Sequence, residues 1–284
     1  MIKSIIDKVT LNDGVKMPWF GLGVYLVAEG DEVYNSVRWA LEAGYRLIDT
    51  AAFYENEEGV GRAIRDSGIP REEIFVTTKV WNTYHGYDKT LRSCEQSLSK
   101  LGMDYADLFL IHWPGQNRDR MLKTWEALLN LKEKKKIRSA GVSNFKQHHI
   151  DAVIAASGVT PSVNQVELHP WYSKKDLLRY AQEKGIILTA WGPIFHGHLS
   201  EVPEVHELGR KYGKSGAQVV LRWHLQNGVS IIPKSVHKNR IVENEQLFDF
   251  ELTDEDMRFI DNLNKDKGFG PDPDTMNVGF PLDG

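Results

Sequence analysis

The chain carries a single cysteine, Cys94, among 284 residues, which excludes an intrachain disulfide and any metal centre built from several thiolates. That cysteine lies in TLRSCEQSLSKLG, a helix-period stretch, where a packing role is expected. Neither sign of charge dominates either. With a formal net charge of −4 and a sequence pI of about 6.2, nothing argues for nucleic acid or an anionic membrane as the main partner. Long apolar runs are also missing, so no secretory h-region and no stretch of transmembrane length is visible. A cytoplasmic protein is the expectation.

Glycine spacing is the last informative absence. GLGVYL after Phe20 and GVGRAI after Glu58 both fail the G-x-G-x-x-G pattern, so a doubly wound dinucleotide-binding sheet would lack its phosphate turn. What is present suits a sizeable core, with 41% hydrophobic and 26% charged residues. The basic run KEKKKIR, Lys132 to Arg138, closes an apparent helix, where cations are favoured by the macrodipole and easily solvated.

VTLNDGVKMPW reads as a hairpin turning at Asn12-Asp13-Gly14. Beyond it, apolar runs alternate with amphipathic helical stretches. Eight candidate strands follow, at 20–25, 45–50, 75–80, 107–113, 139–144, 162–168, 186–191 and 229–235. Most are separated by one helical segment, such as those closing at Gly44 and Gly102. Extra helices are expected at 203–212 and 215–227, and another starting from a Thr253 N-cap. The pattern predicts one α/β domain over the whole chain, a (β/α)8 TIM barrel with an N-terminal hairpin and extra C-terminal helices.

In such a barrel the strand C-terminal ends converge on one mouth. Those ends carry Tyr25, Asp49 and Tyr54, Lys79 and Trp81, His112 and Trp113, Ser143 and Asn144, Gln165, Trp191, and Pro233-Lys234-Ser235. Singly, each has an ordinary structural explanation. Together they form a chemical system. Lys79 leaves the apolar strand IFVTTKVW and needs an opposite charge, which Asp49 on the neighbouring strand can supply. A cation about 4 Å from the Tyr54 phenol, at an effective dielectric near 20, is worth roughly 4 kcal/mol or about 3 pKa units. Desolvation and the Asp49 charge oppose that shift, but the expected sign is downward. His112 can then orient a carbonyl oxygen while Tyr54 delivers a proton, an arrangement suited to hydride addition without metal or covalent nucleophile.

GYRLIDTAAFYENEEGVG, TTKVWN, DLFLIHWP, GVSNF, VNQVELHP and IPKSVHKNRIVEN together resemble the aldo-keto reductase family along essentially the whole chain, in particular its small glyoxal, 2,5-diketogluconate and prostaglandin reductase-like members. The resemblance implies NADPH-dependent reduction of aldehydes and ketones by a monomer. It makes Asp49, Tyr54, Lys79 and His112 the catalytic tetrad, with Tyr54 the general acid. Ser143, Asn144 and Gln165 would hold the nicotinamide carboxamide, and Trp191 would stack on the ring. Lys234, Ser235 and Arg240 would clamp the adenosine 2′-phosphate, with Glu243 and Asn244 near the adenine. Gly23, Val24, Gly192, Pro193, Ile194, Leu199 and Val236 complete the implied cofactor site.

Relatives commonly carry serine where this chain has Gly192, which removes a hydroxyl from the pyrophosphate grip. His196 and His198 lie in the same loop, but two histidines without other ligands do not make a metal site. Tyr25, Trp81 and Trp113, with Phe53, would wall the substrate pocket. The short connection after Trp113 leaves the tail beyond Gly268 to complete the rim. Small dicarbonyls, aromatic aldehydes and keto sugars are the expected substrate classes. A barrel that binds NADP(H) without catalysis, as a redox sensor or accessory subunit, is the rival.

Overall fold

The computed structural model describes residues 2–280. Its first elements are the expected hairpin: β1 (Lys8–Thr10) runs antiparallel to β2 (Lys16–Pro18), with Thr10 opposite Lys16. Gly14 turns the connection at φ 87, a conformation glycine adopts without steric cost.

Eight parallel strands follow. They are β3 (Leu22–Gly23), β4 (Leu47–Asp49), β5 (Phe75–Val80), β6 (Ala106–Ile111), β7 (Ile137–Ser143), β8 (Val163–Glu167), β9 (Ile187–Trp191) and β10 (Ser230–Ile231), paired in chain order. A parallel bridge between Phe20 and Ile231 joins the two ends. Across this seam Gly21 donates its N–H to Ile231 O at 2.9 Å, and Ile231 returns one to Trp19 O at 2.9 Å. The sheet is a closed (β/α)8 barrel.

The seam strands are shorter than the sequence suggests, because Pro233 has no N–H to extend the ladder. Their closeness explains the glycines of GLG. A Cβ on Gly21 would lie 2.0 Å from Leu47 Cδ2, and one on Gly23 would lie 2.8 Å from Ile232 O.

Around the barrel run α1 (Asp31–Glu42), α2 (Glu57–Asp66), α3 (Tyr87–Leu101), α4 (Arg118–Glu133), α5 (Gln147–Ser157) and α6 (Lys175–Lys184). After β9 come α7 (Pro203–Tyr212) and α8 (Gly216–Gln226), and after β10 come α9 (Lys238–Glu245) and α10 (Asp254–Asp261). The Thr253 side chain accepts the Asp256 N–H, capping α10 as expected. No helix among the described residues is long and apolar enough to cross a membrane.

Strand alternation divides the core. Outward residues such as Ile48, Val76, Phe109 and Val142 pack under the helices. Inward residues Leu47, Phe75, Leu108, Leu110 and Val163 fill the barrel, closed below by Leu11 and Met17 of the hairpin region. Cys94 is buried on α3, and burial pushes its thiol up to about 12, as a packing residue requires. In the basic run, Lys132 meets Asp13 at 2.6 Å and Arg138 meets Asp107 at 2.6 Å.

Candidate active site

Two residues further along the inward row, chemistry replaces packing. Leu47 leads to Asp49, Leu110 to His112 and Val163 to Gln165, while Phe75 leads through Thr77 to Lys79. Alternation thus gathers these polar groups at the upper end of a packed barrel. Tyr54 arrives from the short 3₁₀ turn Ala52–Tyr54 just after β4.

Lys79 is completely buried. Its Nζ donates to Asp49 Oδ1 at 2.6 Å, to the Thr50 carbonyl at 2.9 Å and to Tyr54 Oη at 3.1 Å. An ammonium has three protons, so all are used. Gln165 Nε2 donates to Asp49 Oδ2 at 2.6 Å, giving the carboxylate a second anchor. Because Tyr54 Oη accepts from the ammonium, its own proton must point elsewhere. No protein acceptor takes it among the described residues.

The expected downward shift of Tyr54 is corrected by this geometry. Burial raises the phenol, Lys79 lowers it, Asp49 raises it again, and the net direction is up. Desolvation of a buried phenolate outweighs an ammonium whose charge is largely matched by its own carboxylate. The phenol therefore holds its proton across the neutral range. Lys79 is itself raised, since Asp49 and Tyr54 outweigh its burial, while burial pushes Asp49 up.

His112 is held well below its ordinary range by burial first and by Lys79 second, so its imidazole is neutral. It stands edge-on to three rings, at 5.7 Å from Tyr54, 5.1 Å from Trp81 and 6.3 Å from Phe53. Phe53 and Trp81 stack at 3.9 Å, and Tyr25 lies 5.0 Å from Tyr54. Trp113 is buried and makes no ring contact with this group among the described residues. The tail does complete the rim: Asn82 Nδ2 donates to Val278 O at 2.7 Å, and the Phe280 ring packs against Gly115.

The residues expected around a nicotinamide lie on consecutive strands. Ser143 Oγ donates to Gln165 O at 2.8 Å, Asn144 Nδ2 donates to His112 O at 3.0 Å, and Trp191 Nε1 donates to Asn144 Oδ1 at 2.8 Å. Asn144 adopts φ 61. This network fixes the indole beside the polar cluster. Val24 donates its N–H to Asp49 O at 3.0 Å, and Gly23 donates to Pro233 O at 3.3 Å.

Gly192 lies at φ 60, a backbone conformation glycine adopts without steric cost. Further along its loop, Pro193 O contacts His224 Nε2 at 3.1 Å and Leu199 O contacts His206 Nε2 at 3.2 Å. Ile194 and Val236 pack on the core.

For the far end of a dinucleotide, the donor set fits. Lys234 and Arg240 are exposed, and neither has a carboxylate partner among the described residues. They flank Ser235 at the entry to α9, where anions are favoured. Arg240, Glu243 and Asn244 stand at i, i+3 and i+4, on one helix face.

Sequence reasoning missed three features. The Thr50 carbonyl completes the Lys79 shell, a backbone group that no side-chain pattern announces. Glu167, inward two residues after Gln165, was within reach of alternation; it accepts from Phe269 N at 2.6 Å and Gly270 N at 2.9 Å. The third is a trio, His148, His149 and Asp274, whose ligand-type atoms lie within 4.8 Å of one another. Lys146 already takes Asp274 at 2.7 Å, and His149 Nδ1 accepts the Lys146 N–H at 3.2 Å. That tautomer leaves the proton on Nε2, so the trio is built as an ion-pair latch on the tail rather than a metal site.

A closed parallel barrel with a buried carboxylate–ammonium pair touching a phenol, and a neutral imidazole beside them, defines a class of barrel oxidoreductase. The model of the Aldo/keto reductase family matches residues 21–265, and the chain belongs to that family. It is 51% identical over 276 residues to a glyoxal reductase of Bacillus subtilis, covering 97% of this chain and 99% of that one. It is 50% identical over 274 residues to a 9,11-endoperoxide prostaglandin H2 reductase of Trypanosoma cruzi, covering 95% and 96%. A mutant of Gox0644 solved in complex with NADPH superposes with a TM-score of 0.90 at 40% identity, covering 95% of this chain and 98% of that one.

Proposed function

We propose that the protein reduces aldehydes and ketones to alcohols with NADPH, Tyr54 acting as general acid. The observation that carries this reading is the Lys79 shell. Its third proton occupies the phenol oxygen, which leaves the Tyr54 hydroxyl's own hydrogen for a substrate oxygen. Bound NADPH supplies the hydride. Neutral His112 orients the carbonyl, and the charge developing on oxygen is met by the phenol proton backed by the ammonium. The phenol can still serve as donor with a raised pKa, because an alkoxide is a far stronger base than a phenolate.

Ser143, Asn144, Gln165 and Trp191 would hold the nicotinamide end. Lys234 and Arg240, without carboxylate partners among the described residues, would with Ser235 meet a 2′-phosphate, which favours NADPH over NADH. Stacked Phe53 and Trp81, with Tyr25, favour small dicarbonyls and aromatic aldehydes, consistent with relatives named for glyoxal and for a prostaglandin. The same reading takes the chain as one monomeric domain in the cytoplasm.

The test is to follow loss of NADPH absorbance with purified protein and a panel of dicarbonyls, aromatic aldehydes and keto sugars. Turnover with at least one class is expected. NADPH binding without turnover of any of them would replace the reductase with a nucleotide-binding sensor.

A further inference from the structure

Tyr54 sits on a small loop of its own. From Thr50 the chain leaves β4, makes the turn Ala52–Tyr54 and enters α2 through Glu55, at φ 56, and Asn56. The Thr50 hydroxyl donates to Asn56 Oδ1 at 2.8 Å, so one hydrogen bond ties the two ends of that loop together. Lys79 grips the same loop at two points, the Thr50 carbonyl and Tyr54 Oη. The tie therefore lies one step behind the proton donor.

The other half of the Asn56 amide reaches a second loop. Its Nδ2 donates to Val24 O at 2.9 Å and to Val27 O at 2.9 Å. Those carbonyls are the two ends of a tight turn, closed by the Val27 N–H to Val24 O at 3.2 Å, with Tyr25 and Leu26 between them. Leu26 stands at φ 56 and is 70% exposed. That backbone region costs a non-glycine residue free energy, and an exposed side chain has little packing with which to offset it. The turn is held from its ends instead, and Tyr25 upon it faces Tyr54 with ring centroids 5.0 Å apart. Asn56 and Thr50 are fully buried, where an unmatched polar group is costly. Two amide protons meet two carbonyls and the amide oxygen meets a hydroxyl, a pattern an ionised aspartate cannot reproduce.

We propose that Asn56 is a positioning residue: its amide holds the loop carrying Tyr54 and the turn carrying Tyr25 in one fixed relation, and so sets where a carbonyl oxygen meets the phenol proton. The inference rests on the reductase reading above. Asn56 makes no hydrogen bond to either tyrosine among the described residues; it acts through Thr50 on the proton donor and through the Val24 and Val27 carbonyls on the pocket wall. Cutting the first connection slows the chemical step and leaves cofactor binding alone. Cutting both also weakens the substrate complex, because Tyr25 loses its place.

Single-turnover reduction of a carbonyl accepted by the wild type, with NADPH already bound and each variant confirmed as folded by circular dichroism, reads the chemical step directly. Thr50→Val keeps the side-chain shape and removes the tie. Its hydride-transfer rate should fall about tenfold, less than the roughly 10²-fold that a misplacement of about 1 Å costs, with the NADPH Kd within about twofold of wild type. Thr50→Ser restores the hydroxyl and should recover most of that rate. A tie that only stabilised the fold would lower the melting temperature of Thr50→Val and leave the folded protein's rate unchanged; that result, or an equal loss in Thr50→Ser, would overturn the proposal. Asn56→Ala should add a raised KM, and an unmoved KM in the folded variant would overturn the hold on Tyr25. Should Asn56→Ala fail to fold, the two Thr50 variants carry the test. Wild-type protein that reduces none of the carbonyl panel would overturn the reductase reading, and the positioning role with it.

Discussion

At the scale of single residues, the site is governed by how Lys79 distributes three protons among three acceptors. Replacing Tyr54 with phenylalanine removes one acceptor and the phenol proton. Turnover should fall by about 10²-fold or more, stability by about 1 kcal/mol for the lost hydrogen bond, and NADPH affinity hardly at all. Steady-state kinetics beside a fluorescence titration would show this, and near-normal turnover would remove Tyr54 from the role. Lys79→Met is a different experiment, since it strands Asp49 as a buried carboxylate with only Gln165 beside it. That variant should lose about 3–5 kcal/mol of stability as well as activity, visible in its denaturant midpoint. Arg240→Ala separates the two ends of the cofactor: it should weaken NADPH about tenfold or more, the range of a charged hydrogen-bonded pair, and leave NADH little changed. Equal losses would argue against a phosphate clamp.

At the scale of elements, the barrel closes where its strands are shortest, and closure depends on bare backbone at Gly21 and Gly23. Gly21→Ala forces a methyl into Leu47 at 2.0 Å, and should cost about 1–3 kcal/mol. Thermal and urea melts would register it, and an unperturbed melt would mean the seam has slack. Alternation and spacing made much of this element order legible: Asp49, Lys79, His112 and Gln165 follow from counting along strands whose inner faces are apolar below. Other parts could not be read that way. The true sign of the Tyr54 shift depends on how far the phenol is desolvated in the fold, which a sequence does not display, and the Thr50 carbonyl and the tail amides that meet Glu167 are backbone groups. Glu167 was legible in principle, being inward by the same count that found Gln165.

For the whole molecule, several histidines are folded in as neutral groups, and this sets an acid limit on the structure. Burial lowers His85 to about 3 and His224 to about 3, and holds His112 well below its usual range. In each case the unfolded chain binds a proton, near pH 6.5, that the folded chain refuses. Stability is therefore fully present above that pH and declines as pH falls from about 6.5 toward 3, by about 1.4 kcal/mol per unit for each such histidine. Asp49 and Glu57, both raised by burial, work in the opposite sense, because they take up protons in the folded state first. His149, lowered to about 4, is a fourth such histidine and Glu245 a third raised carboxylate, while carboxylates held low in the folded state, Asp256 and Glu167 among them, add to the loss, so the balance is a net loss on acidification. His224 offers the cleanest check, since the one polar contact of its side chain among the described residues is the Pro193 carbonyl at 3.1 Å. His224→Gln can keep that donor while removing the titration. Urea unfolding at a series of pH values should show a shallower acid limb for the variant, by about one proton, and an unchanged slope would mean that His224 is protonated in the folded protein.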